Sequence, residues 1–148
     1  LLLLATVTAA AAGAVISGHN SDPWYDALNK PVLTPPDILF VLVWPALFVL
    51  MAAGALLVLE RAGSFDRAVS PLGLYYTMLA FNAGWSLAFF GMNEVALALG
   101  VLVALWLLIV AMMQDFWRYS HLAALLQLPY LAWVSFAGYL NAFILFAN

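Results

Sequence analysis

Eleven charged side chains sit in four places along the chain, and five uncharged stretches run between them. Those stretches are Leu1–Ser21, Ile38–Leu59, Ala68–Asn93, Val95–Gln114 and Tyr119–Asn148, of 21, 22, 26, 20 and 30 residues. A helix needs roughly 20 mostly apolar residues to cross a hydrocarbon layer of about 30 Å. In lipid every backbone N–H and C=O must find its partner inside the structure, which leaves helices or a closed barrel. Barrel strands show apolar/polar alternation over ~10 residues, and these stretches do not alternate. The expected fold is therefore an all-α membrane protein, a five-transmembrane-helix bundle. Charged residues make up 7% of the 148, against about 25% in soluble domains. A net charge of −3 without a basic patch speaks against nucleic-acid binding. The absence of cysteine removes disulfide and thiolate chemistry.

The expected spans are about 1–18, 38–59, 69–91, 95–115 and 120–147, forming a single domain over 1–148. The first run also fits the apolar core of a secretory signal peptide with Ala9–Ala12 at a cleavage region, and the first-span reading is preferred. Gly91–Glu94 is so short a connection that the third and fourth spans must be antiparallel neighbours. Interior prolines predict kinks at Pro45 and Pro129. Small residues let membrane helices approach closely. They recur on the third span at Gly73, Thr77, Ala80, Gly84 and Ala88, and on the fourth at Ala96, Gly100 and Ala104. Packing within one chain and a homodimer seam along the third span are both open readings. Arg61, Arg67 and Arg118 fall on the N-terminal side against Lys30 on the other, which points the N-terminus to the cytoplasm.

Residues 19–37 form a long connection carrying Pro23, Pro31, Pro35 and Pro36. Proline fixes φ and biases the residue before it toward extended backbone, so this is a stiff loop. Thr34-Pro35-Pro36 reads as a helix start with Thr34 as its N-cap. Trp24 and Tyr25 suit either a lid over a pocket or anchors at the headgroup layer.

The spans hold no Asp, Glu, Lys, Arg or His near their middles. Proton-coupled transporters and ion pathways place ionisable groups there, so both classes are disfavoured. His19 and His121 sit in different connections, and no metal site is expected. Aromatics and amides occupy the spans instead. Trp44 and Phe48 lie one turn apart, Asn82 and Trp85 share a face, and Tyr130, Trp133, Ala137 and Asn141 form one stripe. Asn82 in mid-membrane needs a hydrogen-bond partner. Such stripes serve packing as well as binding. A cavity made of them would take a flat, mostly apolar molecule.

The run from Trp24 to Pro31 (Trp-Tyr-Asp-Ala-Leu-Asn-Lys-Pro), with Thr34-Pro35-Pro36 and then Trp44, resembles the first loop and second helix of the translocator protein family. That family is also called TspO/MBR, tryptophan-rich sensory proteins or peripheral benzodiazepine receptors. Pro71-Leu-Gly-Leu-Tyr75 with Asn82, Trp85 and Phe89-Phe90-Gly91 is similar to its third helix. Leu128-Pro129-Tyr130-Leu131-Ala132-Trp133 with Ala137 and Asn141 is similar to its fifth. The resemblance implies a five-helix bundle, usually homodimeric, that binds tetrapyrroles such as protoporphyrin IX beneath the first loop. It implies benzodiazepine- and isoquinoline-type ligands as well.

Carried onto this sequence, the ligand-binding residues would be Tyr25, Trp44, Asn82, Trp85, Trp133 and Ala137, with no resident cofactor. Trp44 and Trp133 match the tryptophans the family is proposed to use in light-dependent porphyrin breakdown. Leu33 stands where the family commonly has another tryptophan, and nothing basic follows Arg118, which leaves the family's weak sterol motif incomplete. The expected function is a receptor, sensor or carrier for porphyrin-type molecules in a membrane, plausibly bacterial. The alternatives are a porphyrin-degrading enzyme using Trp44 and Trp133, and a ligand-free structural bundle.

Overall fold

The computed structural model describes residues 1–19 and 23–148. The Asn20–Asp22 stretch of the first loop lies outside the described residues, as do the side chains of Ser17, Gly18, His19 and Asp37. The chain is all-helical, and among the described residues there is no strand. Helix α1 spans Leu2–His19, α2 Pro23–Asp26, α3 Asp37–Ala62, α4 Val69–Ser86, α5 Val95–Trp117, α6 His121–Leu125 and α7 Leu128–Ala147. A single π-helical turn, Leu87–Gly91, continues α4 without a break.

Three helical segments among the described residues are long and apolar enough to cross a membrane: Ile38–Ala62, Val95–Trp117 and His121–Ala147. Leu2–Ile16 is apolar but shorter. Helix α4 differs because of where it lies. It packs on α1, α3 and α5, and buries Tyr75, Asn82 and Ser86 along with its apolar residues. Those neighbours give its polar groups partners on one face, while Gly73, Thr77 and Ala80 are exposed. The outer surface follows the opposite rule, with Leu4, Val7, Val41, Leu42, Val49, Val103 and Leu107 all exposed. The buried polar set is Thr6, Asn82, Ser86, Gln127 and Asn141. An apolar outside around amide-bearing contacts is the arrangement lipid demands, since unpaired amides cannot face it.

Helices α4 and α5 are the closest antiparallel neighbours, as the short Gly91–Glu94 connection requires. Asn93 takes the left-handed conformation there (φ 56°), an uncommon one that asparagine tolerates. At the other end of α3, Gly63 closes the helix with φ 86° and donates its N–H to the Leu59 carbonyl.

Three local expectations are corrected. The fifth run is two helices, interrupted at Leu126 and Gln127, and Pro129 sits in the first turn of α7 instead of kinking a continuous helix. Proline's missing N–H costs nothing in a first turn, which favours this start. Thr34 is not the N-cap of α3. Pro36 holds that position in extended backbone (φ −65°, ψ 153°), while Thr34 Oγ1 donates to the Pro31 carbonyl at 2.7 Å. Consecutive prolines keep the chain extended until Asp37, so the helix begins later. The first loop is also partly helical, through α2. By contrast α3 runs unbroken through Pro45.

Candidate functional site

Two apolar clusters position the aromatic residues. The larger gathers Leu47, Met51, Tyr75, Met78, Met112 and Tyr130, with Trp44, Phe48, Trp85, Trp133 and Ala137 packed against it. The smaller is built on Ala88, Phe89, Ala98 and Ile144, and carries Trp24, Tyr25, Leu28, Trp85 and Phe90. Trp85 therefore belongs to both, at the seam between the bundle and the first loop.

In the larger cluster Trp44 meets Trp133 edge to face, with ring centroids 6.3 Å apart, and meets Tyr130 at 6.4 Å. Phe40 covers the other side of Trp133 at 5.5 Å. Such edge contacts contribute about 0.5–1.5 kcal/mol each beyond area burial. Asn82 donates its amide to the Tyr130 hydroxyl. The partner required of Asn82 is thus a tyrosine one helix away, and both side chains are buried.

In the smaller cluster Trp85 stacks on Phe89 at 5.5 Å and 29°. Its indole N–H donates to Asn141 Oδ1 at 3.0 Å, and Asn141 Nδ2 donates to the Val95 carbonyl at 3.0 Å. One asparagine on α7 so ties α4 to the start of α5. Tyr25 lies against Phe89 and Phe90 at 6.2 and 5.7 Å, and Trp24 against Phe89 at 5.5 Å. Lys30 folds back over the Tyr25 ring, with Nζ 4.3 Å from its centroid, and donates to the Tyr25 carbonyl at 2.8 Å.

The structure brings Trp44, Trp133 and Asn82 together through Tyr130. It places Trp85 and Tyr25 on the same aromatic pair, and Ala137 against the larger cluster. Tyr25 and Trp44 sit in different clusters, joined by way of Trp85. Two shallow surface depressions, of about 380 and 300 Å³, include none of the six residues. Among the described residues no three of His, Asp and Glu come together as metal ligands would. His121 stacks on Trp117 at 3.8 Å, at the end of the molecule away from the first loop.

Several organising residues went unassigned from sequence. Tyr130 and Asn141 lay in the α7 stripe, but nothing in their spacing showed which residues they would meet. The signal for Asn141 was its type, a buried amide that must find two partners. Phe89 and Phe90 stood in the sequence as part of the family resemblance, but nothing there showed that they would meet Trp24 and Tyr25 of the loop. On the small-residue stripe, Gly73, Thr77 and Ala80 are exposed, and a Cβ at Gly73 would meet no heavy atom within 4 Å. Gly84 instead faces Val101 of α5, and Ala88 is buried in the smaller cluster.

The model of the TspO/MBR family matches residues 1–147. The tryptophan-rich sensory protein of Cereibacter sphaeroides is 41% identical over 120 residues, covering 81% of this chain and 73% of the relative. Protein CrtK of Rhodobacter capsulatus is 38% identical over 135 residues, or 91% of this chain and 84% of the relative. The human translocator protein is 40% identical over 119 residues, or 80% and 70%.

Proposed function

The chain belongs to the TspO/MBR family, and from that premise we propose that it is a five-span integral membrane receptor or carrier for porphyrin-type tetrapyrroles. The ligand is held between the helices by Trp44, Asn82, Trp85, Trp133 and Ala137, and residues 19–37 close over it through Tyr25. The observation that carries this reading is the position of Trp85, an anchored indole shared by the bundle's aromatic cluster and by the cluster beneath the loop. Parting those two clusters exposes ring faces and amides, with the Lys30 ammonium over Tyr25 at the loop, a lining that suits a flat, mostly apolar molecule. Helices α1 and α4 supply the remaining two spans, both within the bundle formed with the three long apolar segments. A second copy docks on the exposed Gly73–Thr77–Ala80 face of α4, and the setting is a bacterial membrane.

Titrating the protein in nanodiscs with protoporphyrin IX, read by tryptophan quenching and the Soret band, tests the reading. Saturable binding weakened by Trp133→Phe and Tyr25→Ala is expected. Absence of saturation, with no thermal stabilisation by the ligand, would leave a structural bundle.

A second reading rests on the 6.3 Å edge-to-face contact of Trp44 with Trp133. Two indoles so close to a photo-excited porphyrin could exchange electrons with it and support light-dependent breakdown of the ring. Illumination of the complex separates the readings. Equal porphyrin loss from the parent and from a Trp44→Phe/Trp133→Phe variant would be plain photobleaching.

A further inference from the structure

The first loop is tied to the far end of α7 by a set of amide contacts separate from its aromatic ones. Asn148 Oδ1 accepts the Asn29 backbone N–H at 3.0 Å, and Asn148 Nδ2 donates to the Asn29 carbonyl at 3.1 Å. The side-chain amide of one asparagine thus pairs with the backbone of the other as a neighbouring strand would. Asn29 Nδ2 adds a bond to the Ala147 carbonyl at 3.2 Å. Asn148 Nδ2 also donates to the Ile144 carbonyl at 2.8 Å, one turn back, which orients the amide toward the loop. One residue further along, Lys30 is folded onto Tyr25. The tie therefore connects directly to the loop residue assigned to the ligand.

We propose that Asn29 and Asn148 are positioning residues of the ligand site: their reciprocal amide pairing latches the first loop shut and sets the rate at which ligand enters and leaves. This rests on the reading of the first loop as a lid, and uses only its described residues 23–37. Neither asparagine lies among the aromatic residues of the site, so neither needs to touch the ligand. The bonds are made whenever the loop is closed, with or without ligand beneath it. A contact present equally in both closed forms cancels from the affinity, and acts only on how often the loop opens. These bonds are also exposed. Each is worth little against water, so the latch can open without a trigger.

Stopped-flow mixing of the full chain in nanodiscs with protoporphyrin IX tests this. Asn148→Ala is expected to raise both association and release rates about tenfold, as the loss of two or three net hydrogen bonds implies, with Kd within about threefold of the parent. Asn148→Asp keeps the acceptor but loses both donated bonds, and should fall between the two. The chain has no cysteine, so Asn29→Cys/Asn148→Cys provides a reversible lock. Oxidation should slow exchange at least tenfold, and reductant should restore it.

Rates unchanged in Asn148→Ala and in the oxidised double variant would overturn the latch while leaving the binding site in place. A disulfide that fails to form in the folded protein would overturn the juxtaposition itself. A lowered Tm with Kd weakened only through slower association, and with no faster release, would make Asn148 merely structural and overturn the proposal. No saturable binding by the parent would overturn the lid reading and the latch with it.

Discussion

The two ends of the bundle are closed by different means. Under the first loop, closure depends on stacked rings and exposed amide bonds: Trp24 and Tyr25 on Phe89 and Phe90, and Asn29 on Asn148. Toward the other end it depends on close approach. Gln127, wholly buried at the α6–α7 interruption, fills the space a side chain at Gly54 of α3 would occupy. Thr6 of α1 meets the buried Tyr75 hydroxyl of α4 at 2.6 Å. Ring faces can slide and exposed amides can exchange with water, whereas interlocked backbone and buried amides cannot part without loss of packing. On the proposed reading, the loop end is the one that opens and the other stays shut.

The largest effect should come from the shut end. A Cβ on Gly54 would overlap the Gln127 amide nitrogen and lie 2.9 Å from the Ala123 carbonyl oxygen. Gly54→Val therefore drives α3 away from α6. Overpacking of this kind costs about 1–3 kcal/mol, and a displaced buried amide adds to it. A strongly lowered Tm in nanodiscs is expected. Gln127→Ala in the same chain should recover much of the loss, since it vacates the contested space. Gln127 Oε1 has no hydrogen-bond partner, so Gln127→Ala alone should cost less than a fully bonded amide would. An additive double variant would show that the two residues do not compete.

Next is the seam between the ends, where Trp85 leans on Asn141. Trp85→Phe keeps a ring against Phe89 but leaves Asn141 Oδ1 without its donor. Hydrogen bonds between membrane helices average about 0.6 kcal/mol and reach about 1.7. A stability loss of about 1 kcal/mol is expected, together with porphyrin binding weakened about fivefold. Tyr130→Phe should cost at least as much, about 1–3 kcal/mol, as it leaves the buried Asn82 amide without its partner. Thermal unfolding and tryptophan quenching report the two quantities separately. If Trp85→Phe moved neither, the seam would not couple the loop to the bundle.

What could be read in advance divides along the same line. The three long apolar segments Ile38–Ala62, Val95–Trp117 and His121–Ala147 were legible because lipid imposes one rule, an uncharged run long enough to cross, and the positions of Glu60, Glu94 and Asp115 disclose it directly. That Asn82 must have a partner was legible too, from the cost of an unpaired amide. Which partner it has was not, because Tyr130 lies on another helix, 48 residues further along the chain. Spacing along the chain sets the face of a helix, but not its rotation against another helix. Phe89 and Phe90 lie within the π-helical turn Leu87–Gly91 and meet Trp24 and Tyr25 of the loop, and no residue type announces such a turn. The pairing of Asn29 with Asn148 joins positions 119 apart, and depended on every helix between them.

The smallest effect tests the loop end alone. Lys30 contributes a cation–π contact and one donated bond, both to Tyr25 and both partly open to solvent. Contacts of this kind at exposed sites are worth about 0.5–1 kcal/mol. Lys30→Met keeps most of the stem and removes the charge. It should lower Tm by only about 1–4 °C, because a chain of this size moves about 2–4 °C per kcal/mol and most of the loop's other contacts persist. Porphyrin exchange should quicken by no more than about threefold, and the acceleration should shrink as salt is raised in the parent, where screening weakens the same contact. Equal exchange in Lys30→Met and parent at low salt would remove Lys30 from the closure. The loop would then be held by its rings and by the two asparagines.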